Sequence, residues 1–374
     1  MERLGQNLSI RKMLSKEEIS RYSRHILLSE VGTVGQEKLK EAKVLVVGAG
    51  GIGCPVLQYL AAAGVGMIGI VDNDVVDETN LQRQILFSAE DAGKLKAEVA
   101  KQKLSGINPH IKLISHITRL TSQNALDIIR EYDFVIDGSD NFPTRYLVND
   151  SCVLLNKPLV FGSIYKFEGQ VSVFNYKNGP TYRCLFPQPP QDSPNCSEIG
   201  VLGVLPGIIG TMMASEALKI ICQIGKPLSG KLFVFSSLIS ETQIISFEKN
   251  SENSKINSLT DYELFCAAPL KEVNEISSLE LKKIIENKEE IQIIDVREPS
   301  EYSEHNISGV NIPLKTILNH IPEIRKDIPV IIHCQRGSRS KKAIELLQKE
   351  FGFTNLLNLT GGIESLTPSE FSVR

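Results

Sequence analysis

The sequence predicts two α/β domains, the larger built on a mostly parallel sheet and the smaller on a similar α/β plan. Short apolar runs typical of buried strands alternate with helical segments in two series, which favours parallel sheets with right-handed crossovers. A chain of 374 residues is long enough for two domains. We assign residues 14–248 to the first domain, 249–270 to a polar linker and 271–374 to the second domain.

Composition narrows the class of protein. Hydrophobic residues make up 42% and charged residues 23%, which is typical of a globular chain and excludes wholesale disorder. The net charge of -3 gives no broad positive field, so we expect neither nucleic acid nor a membrane as a partner. The uncharged run Val44–Val71 has the length of a membrane span, but its glycines and proline follow a strand–helix–strand rhythm typical of a folded core.

The number and spacing of the cysteines indicate the redox state of the cellular compartment. There are seven, an odd number scattered along the chain, and the N-terminus is polar and charged, unlike a signal peptide. We therefore expect a cytoplasmic protein with reduced thiols rather than a secreted fold held by disulfides.

The first series of elements is regular. Its predicted strands are Lys43–Val47, Met67–Val71, Ile111–His116 and Phe134–Asp137, with helices at Pro55–Ala63 and Lys94–Leu104. The later segment Gly169–Tyr176 alternates polar and apolar residues, which predicts an added antiparallel strand.

A glycine-rich turn follows the first strand. Gly48, Gly50, Gly51 and Gly53 form Gly48-Ala-Gly50-Gly-Ile-Gly53, a G-x-G-x-x-G match between a strand and a helix. Glycines let the backbone approach a phosphate, and the helix N-terminus adds amides and a favourable dipole. Asp72 lies 19 residues past Gly53, at the end of the next strand, where a carboxylate binds ribose hydroxyls. Alone, this pattern is typical of a dehydrogenase that binds a nicotinamide dinucleotide.

The residues that follow favour a triphosphate instead. Two cations and several carboxylates come after the glycine turn, in the segments Asp72-Asn-Asp74, Asn80-Leu-Gln-Arg83-Gln84, Lys96 and Ser139-Asp140-Asn141. Hydride transfer needs no cations on a polyphosphate. Adenylyl transfer does, because negative charge develops on the departing pyrophosphate.

These motifs, together with Arg21-Tyr-Ser-Arg24, resemble the MoeB/ThiF family, bacterial relatives of ubiquitin-activating enzymes, over about residues 14–248. The resemblance implies a Rossmann-like adenylation fold that uses ATP and magnesium. It implies that Gly48–Gly53 cradle the nucleotide and that Asp72 holds the ribose. The same resemblance places further residues around the phosphates and base, namely Asp74, Asn80, Arg83, Gln84 and Lys96. It gives Asp140 to Mg²⁺ and has Arg24 reach into a partner subunit's site, hence a homodimer.

Taken singly, several of these residues have simpler interpretations. Arg24 could be a solvated helix charge, Asp74 a cap, and Asp140 the start of an Asx turn. The ordered set favours the functional interpretation.

Two further features of this domain follow from the resemblance. Cys196, in the proline-rich stretch Phe186–Cys196, matches the cysteine of a crossover loop; it is either a reactive thiol or an incidental one. Relatives bind structural zinc through two C-x-x-C pairs, and here we match them to Thr181/Cys184 and Glu263/Cys266. Because threonine is not an ordinary zinc ligand, we expect no zinc and two cysteines that pack as apolar side chains.

In the second series, strands are predicted at Ile291–Val296 and Pro329–His333 and a helix at Lys341–Glu350. Cys334 follows the second strand and precedes the helix, where loop amides and the helix dipole stabilise a thiolate. We expect Arg336 and Arg339 to add cationic partners, and His305 and His333 to be packing or hydrogen-bonding residues.

The motifs D-V-R-E-x-x-E-Y, H-x-x-G and C-x-x-G-x-R resemble the rhodanese sulfurtransferase family over about residues 274–366. The family's terminal G-G-x-x-x-W has Leu366 in place of the aromatic. The resemblance implies a persulfide on Cys334, held by a loop that comprises Cys334, Gln335, Arg336, Gly337, Ser338 and Arg339. A phosphatase loop has five residues between cysteine and arginine, whereas four lie between Cys334 and Arg339. The smaller loop favours a sulfurtransferase over a phosphatase.

Together the two resemblances imply one reaction sequence. ATP adenylates the C-terminal glycine of a ubiquitin-like sulfur-carrier protein of the MoaD/ThiS type. The Cys334 persulfide then attacks, and Cys196 could cleave the acyl disulfide to leave a thiocarboxylate. A donor such as a cysteine desulfurase would supply sulfur. The pathway stays open among molybdopterin, thiamine, cysteine and tRNA thiolation. Alternatives are activation of the carrier for conjugation, a nicotinamide oxidoreductase with a rhodanese tail, and a non-catalytic scaffold.

Overall fold

The computed structural model describes residues 13–190, 200–266 and 273–366. The chain divides into two compact units, Met1–Cys266 and Ala267–Arg374. The predicted linker begins too early, because part of it packs onto the first unit. Tyr262 is buried and its hydroxyl donates to Asp150 Oδ2 at 2.7 Å, and Ser122 Oγ donates to the Thr260 carbonyl at 2.7 Å. Residues 249–266 were predicted to be a linker from their polar composition, which did not reveal these contacts.

The first unit is built on one eight-stranded sheet in the order β3-β2-β1-β4-β5-β6-β7-β8. Its strands are β1 (Lys43–Val47), β2 (Met67–Val71), β3 (Lys112–His116), β4 (Phe134–Asp137), β5 (Leu159–Tyr165), β6 (Glu168–Phe174), β7 (Lys231–Ser236) and β8 (Glu241–Ser246). Strands β1 to β5 are parallel, and β6 to β8 are added antiparallel. The prediction of a mostly parallel sheet with an antiparallel addition is confirmed.

Ten helices lie on the described part of this unit: α1 (Lys16–Arg21), α2 (Ser23–Ile26), α3 (Gly32–Glu41), α4 (Gly53–Ala63), α5 (Lys96–Ile107), α6 (Ala125–Arg130), α7 (Phe142–Leu154), α8 (Tyr182–Leu185), α9 (Leu205–Cys222) and α10 (Tyr262–Cys266). Helix α4 ends where Gly64 adopts φ 83° as a left-handed C-terminal cap. Among the described residues, α9 alone is long and apolar enough to span a membrane. It packs against α3, α4, β5 and β6 as a core helix.

The sheet positions a crevice. Strand β1 pairs with β2 on one side and with β4 on the other, so the chain order reverses between β1 and β4. Both strands are buried, apart from the exposed Lys43, which explains their uninterrupted apolar sequences. In open α/β sheets, ligands bind beyond the carboxyl ends of the strands at such a reversal.

The second unit has a five-stranded parallel sheet in the order β11-β10-β12-β13-β9. Its strands are β9 (Glu275–Ile276), β10 (Gln292–Asp295), β11 (Val310–Asn311), β12 (Val330–His333) and β13 (Leu356–Leu359), and its helices are α11 (Ser278–Glu286), α12 (Pro299–Glu304) and α13 (Ser338–Phe351). Apolar clusters cover both faces of the sheet. Leu366, where the rhodanese motif has an aromatic, is buried beside Ile363 and completes one cluster.

Candidate active sites

The glycine turn after β1 is held by very close backbone contacts. Gly48 has φ 89°, and a Cβ there would lie 3.0 Å from the Gly138 carbonyl oxygen at the end of β4. A Cβ on Gly53 would lie 1.9 Å from the Gly48 carbonyl oxygen. Glycine is therefore required at Gly53 so that α4 can start directly against the turn.

Asp72, at the end of β2, ties the glycine turn to the neighbouring strand. Its Oδ2 accepts from the Ala49 N–H at 2.7 Å and its Oδ1 accepts from the Asp74 N–H at 2.8 Å. Burial raises the pKa of Asp72, and these N–H groups oppose that rise. Each carboxylate oxygen keeps a lone pair that can accept from a ribose hydroxyl.

A cavity of about 810 Å³ opens over this turn. Ten predicted nucleotide-binding residues line it: Gly48, Gly50, Gly51, Asp72, Asp74, Asn80, Arg83, Gln84, Lys96 and Asp140. Residues far apart in sequence thus converge on one crevice. A Cβ on Gly51 would lie 3.6 Å from Arg83 Cγ, and one on Gly50 would lie 3.7 Å from Gln84 Nε2.

The two cations in this cavity are held differently. Lys96, the first residue of α5, is buried, and its Nζ lies 3.2 Å from Oδ2 of the exposed Asp74. The half-buried Arg83 donates through Nη1 to the Thr79 carbonyl at 3.3 Å. Both can face an anion in the crevice, since each retains N–H donors beyond these contacts.

Asp140 lies in the turn between β4 and α7. It is exposed, and Asn141 beside it caps α7 by accepting from the Thr144 N–H at 3.0 Å. Below this turn, Asp137 Oδ1 accepts from the Ser139 N–H at 2.9 Å, and burial raises the pKa of Asp137. The turn therefore presents one solvent-facing carboxylate above a buried one.

Arg145 is a cavity residue that the sequence analysis did not select. It is buried on α7, and its Nη2 donates to the Ser139 carbonyl at 3.3 Å. Its guanidinium carbon lies 5.2 Å from the Phe142 ring centroid and 5.7 Å from that of Phe161. In the sequence, the available signal for Arg145 was an arginine four residues after Asn141, near the start of a helix.

Unpartnered buried polar atoms gather at the two candidate sites. Within the described residues, such side-chain atoms occur in Gln84, Asp137, Ser139, Arg145, Ser151 and His333. The first four belong to the crevice or lie directly beneath it, and His333 precedes Cys334. Because most buried polar groups are satisfied, unpartnered ones in a cleft mark places where a ligand or water completes the bonding.

Two predicted residues do not line this cavity. Gly53 does not line it but packs directly against the Gly48 carbonyl, and its assignment as a nucleotide contact stays a prediction. Arg24 lies on the exposed face of α2 and does not line the cavity of its own chain. Cys196 lies outside the described residues, so its role stays a prediction.

The four residues matched to a degraded zinc site do not form one cluster. The Cys184 Sγ lies 3.4 Å from Thr181 Oγ1 and 3.3 Å from Ser254 Oγ, whereas Glu263 pairs with Arg119. Among the described residues, no group of three or more His, Cys, Asp or Glu side chains could hold a metal ion. The Thr181/Cys184 and Glu263/Cys266 pairs therefore do not come together as one ligand set in the described residues, and their match to the relatives' zinc pairs stays a prediction.

Cys184 also differs from the predicted apolar packing. Burial opposes its ionisation, but hydrogen bonds from the Ser254 and Thr181 hydroxyls and from backbone N–H groups hold the pKa of Cys184 below its ordinary value. Cys266 behaves as predicted, because it packs against an apolar cluster and burial raises its pKa to about 11.

The second candidate site surrounds Cys334, which is 1% exposed at the end of β12. Its Sγ accepts from the Gly337 N–H at 3.2 Å and from Ser340 Oγ at 3.5 Å. Burial opposes ionisation of this thiol, but the Ser340 hydroxyl and backbone N–H groups of the loop hold its pKa below the ordinary value. The loop therefore stabilises a sulfur anion, as predicted.

Both arginines of this loop are bound to carboxylates, and Arg339 also interacts with the Cys334 sulfur as the cationic partner that was predicted. Arg339 donates through both terminal nitrogens to Glu301 at 2.7 Å each, and Arg336 Nε donates to Glu364 at 2.9 Å. The two carboxylates come from α12 and from the last turn of the unit, and the sequence motif does not reveal either contact.

His333 is fully buried, and neither ring nitrogen has a hydrogen-bond partner. Burial lowers the pKa of His333, so it is neutral and packs beneath the loop, although Asp295 Oδ2 lies 3.8 Å from its Nε2. His305 contributes its backbone carbonyl, which accepts from Arg297 Nη2 at 2.5 Å.

The fold and the two sites define a class: a nucleotide-binding α/β protein whose second unit carries a thiolate loop. The chain belongs to the ThiF family, which matches residues 22–256, and residues 277–367 match the rhodanese-like domain. Both resemblances seen in the sequence are thereby confirmed.

Two relatives match almost the whole chain, and a third matches about two thirds of it. The probable adenylyltransferase/sulfurtransferase MoeZ of Mycobacterium tuberculosis is 43% identical, with 94% of this chain and 93% of MoeZ aligned. The adenylyltransferase and sulfurtransferase MOCS3 of Drosophila yakuba is 42% identical over 96% of this chain and 85% of its own length. A sulfur carrier protein adenylyltransferase of Thermus thermophilus is 51% identical over 67% of this chain and 98% of its own length.

Solved structures resemble part of the chain. E. coli MccB crystallised with ATP has a TM-score of 0.55 at 27% identity, covering 62% of this chain and 72% of MccB. MccB without a named ligand has a TM-score of 0.58 at 26% identity, covering 66% of this chain and 75% of MccB.

Proposed function

We propose that the first unit uses ATP to adenylate the C-terminal glycine of a ubiquitin-like sulfur-carrier protein, and that Cys334 of the second unit supplies sulfur to form a thiocarboxylate. The observation that carries the proposal is the convergence of Arg83, Lys96 and Asp140 on the cavity over the glycine turn. The names of the MoeZ and MOCS3 relatives support both halves of the reaction, and the name of the Thermus relative supports adenylation of a sulfur-carrier protein.

The cavity suits adenylyl transfer better than hydride transfer. A carboxylate oxygen of the carrier attacks the α-phosphorus of ATP, the bond from phosphorus to the pyrophosphate oxygen breaks, and pyrophosphate leaves. Negative charge grows on the leaving group, and the buried Lys96 with Arg83 can stabilise it. Asp72 and the Ala49 N–H hold the turn that receives the nucleotide.

Magnesium fits the residues present. Mg²⁺ in nucleotide sites is bound by one or two carboxylates together with substrate phosphates rather than by a full protein cage. Asp140 offers such an exposed carboxylate at the cavity wall, and Asn141 Nδ2 lies 3.4 Å from its Oδ1. When bound, the ion would supply charge neutralisation for the phosphates. The Ser139 carbonyl held by Arg145 fixes the turn that carries Asp140.

Sulfur transfer then takes place on the acyl-adenylate. The terminal sulfur of a Cys334 persulfide attacks the acyl carbon, the bond to AMP breaks, and an acyl disulfide forms. In the proposal, the Cys196 thiolate attacks Cys334 Sγ, which releases the thiocarboxylate and leaves a Cys196–Cys334 disulfide. A cellular thiol reductant returns both cysteines to their reduced form, which agrees with our expectation of a cytoplasmic location.

We also propose a homodimer in which Arg24 serves the partner subunit's cavity. This assignment is supported by the exposure of Arg24 and by its absence from the lining of its own cavity. The sulfur donor is proposed to be a protein persulfide of the kind formed by a cysteine desulfurase.

The test is carrier-dependent exchange of pyrophosphate into ATP. We expect exchange only when a ubiquitin-like carrier ending in glycine is added, and none with the same carrier lacking its last residue. Cys334→Ala should keep exchange and lose thiocarboxylate formation. Absence of exchange with every such carrier encoded beside this chain would refute the adenylation proposal, whereas exchange that is lost in Cys334→Ala would refute the division of labour.

A further inference from the structure

The last turn of the second unit forms one wall of the persulfide loop. A Cβ on Gly362 would lie 2.4 Å from the Cys334 carbonyl oxygen, so the two segments touch through their backbones. The Ile363 N–H donates to the Cys334 carbonyl at 2.8 Å, and the Glu364 N–H donates to the Gln335 carbonyl at 3.2 Å. These contacts fix the Glu364 backbone beside the loop. Its side chain therefore reaches the exposed edge of the loop formed by Gln335 and Arg336, here called the rim.

Glu364 makes two contacts with that rim. Its Oε2 accepts from Arg336 Nε at 2.9 Å, and its Oε1 accepts from Gln335 Nε2 at 3.0 Å. The Gln335 amide oxygen accepts in turn from Arg297 Nη1 at 3.2 Å, and Arg297 is buried against Asp295. Glu364 is therefore the outer end of a chain of hydrogen bonds that begins under the loop.

Charge pairing leaves little positive charge at the rim. Arg339 is bound by Glu301 through two hydrogen bonds, and Arg297 is bound by Asp295. Arg336 is the loop arginine most exposed to solvent, with 77% of its side chain accessible, and its partner Glu364 is 44% accessible. Each arginine beside Cys334 thus has its own carboxylate, and the Arg336–Glu364 pair is more exposed to solvent than the Arg339–Glu301 pair.

We propose that Glu364 is a specificity-determining residue of the sulfur-transfer site, which disfavours small doubly charged donors such as thiosulfate and leaves the loop to accept sulfur from a persulfide group, R–S–SH. The proposal rests on Cys334 being the sulfur acceptor. With R–S–SH, the Cys334 thiolate attacks the outer sulfur, the S–S bond breaks, and R–S⁻ leaves with the electron pair. With thiosulfate the same attack expels sulfite, and two negative charges must first approach the Glu364 carboxylate.

Glu364→Gln tests this directly, because it keeps the side-chain size and removes the charge. Steady-state transfer of sulfur to cyanide is measured with thiosulfate, a dianion, and with an arylthiosulfonate, a monoanion. We expect the thiosulfate KM to fall by about three- to tenfold, as one nearby charge acting on a dianion in water would produce, with kcat unchanged. The fall should be smaller for the monoanion and should shrink at high salt.

Glu286→Gln on α11 is the matched control, since it removes the same charge from an exposed position on the same unit. Adding Arg336→Gln to Glu364→Gln should abolish the fall in thiosulfate KM, because that fall requires an Arg336 that no longer has a carboxylate partner. A purely structural role would lower kcat for both donors equally and lower the melting temperature.

An unchanged thiosulfate KM in both Glu364→Gln and Glu364→Ala would overturn the assignment. Failure of the underlying function is distinguishable from that result. If Cys334 is not the sulfur acceptor, mass spectrometry would find no added sulfur atom on the Cys334 peptide of the wild-type chain with any donor.

Discussion

Lys96 and Asp74 form an ion pair of 3.2 Å in which the lysine side chain is only 7% exposed and the aspartate side chain is 64% exposed. The pair joins a buried ammonium group to a solvent-exposed carboxylate. An exposed carboxylate is a weak competitor in water, so a nucleotide phosphate can replace Asp74 as the counter-charge of Lys96. On this geometry we expect Lys96 to bind an anionic substrate.

Lys96→Ala should accordingly reduce carrier-dependent ATP–pyrophosphate exchange by about 100- to 1,000-fold, the range found when a preorganised charge-stabilising donor is removed. The incorporation of labelled pyrophosphate into ATP measures this loss of exchange activity. Lys94→Ala is the control, because Lys94 is exposed and pairs only at the surface with Asp91. Equal losses in the two variants would contradict the role given to Lys96.

Gly53→Ala should destabilise the first unit and reduce nucleotide binding, because its Cβ would meet the Gly48 carbonyl oxygen at 1.9 Å. We expect a loss of about 1–3 kcal/mol in unfolding free energy from forced backbone movement. Gly106→Ala in α5 is the matched variant, since nothing lies within 4 Å of its Cβ. It should be neutral or stabilising by up to about 1 kcal/mol. Urea titration of each purified variant compares them.

Arg145→Lys should weaken the binding of Mg²⁺ without abolishing folding. Lysine keeps the positive charge but cannot reproduce the guanidinium contact with the Ser139 carbonyl. The Mg²⁺ concentration for half-maximal exchange should rise about tenfold, as for other residues that support a metal-binding carboxylate. Arg130→Lys, at an exposed pair with Asp127, should leave it unchanged. A normal magnesium curve in Arg145→Lys would show that the contact is only structural.

Ser340→Ala should raise the pKa of Cys334 toward the ordinary thiol value, because the Ser340 hydroxyl is the foremost of the groups that lower it. A thiol with a depressed pKa is ionised above that pKa and loses the thiolate as pH falls through it. The pH profile of Cys334 alkylation by iodoacetamide should therefore move to higher pH in the variant, with a slower rate at neutral pH. Peptide mass spectrometry follows Cys334 separately from the other cysteines, and Ser303→Ala on α12 should leave the profile in place.

Local patterns predicted much of this molecule. The strands β1, β2 and β4 begin and end where the apolar runs do, because a buried parallel strand requires an unbroken apolar sequence. Gly48, Gly50, Gly51 and Asp72 were predicted to lie at the cavity because they follow β1 and β2, whose carboxyl ends meet at one edge of the sheet. The resemblance to the MoeB/ThiF family placed the other residues there, namely Asp74, Asn80, Arg83, Gln84, Lys96 and Asp140.

What the sequence left out depends on contacts between distant segments. Glu301 and Glu364 lie 38 and 28 residues from the arginines they bind, and no local pattern indicates either pair. The contact of Cys184 with Ser254, 70 residues further along the chain, was missed for the same reason. Arg145 was overlooked because its role depends on a carbonyl group, which every residue possesses.

Gly53 and Gly362 give this chain an experimental advantage. Each lets a helical turn lie against the backbone of one reactive loop, and each belongs to a unit with its own apolar core. A missense change at either codon should therefore silence one half-reaction and spare the other. Paired in one cell, two such alleles would show by complementation whether activated carrier and sulfur can be exchanged between separate polypeptides.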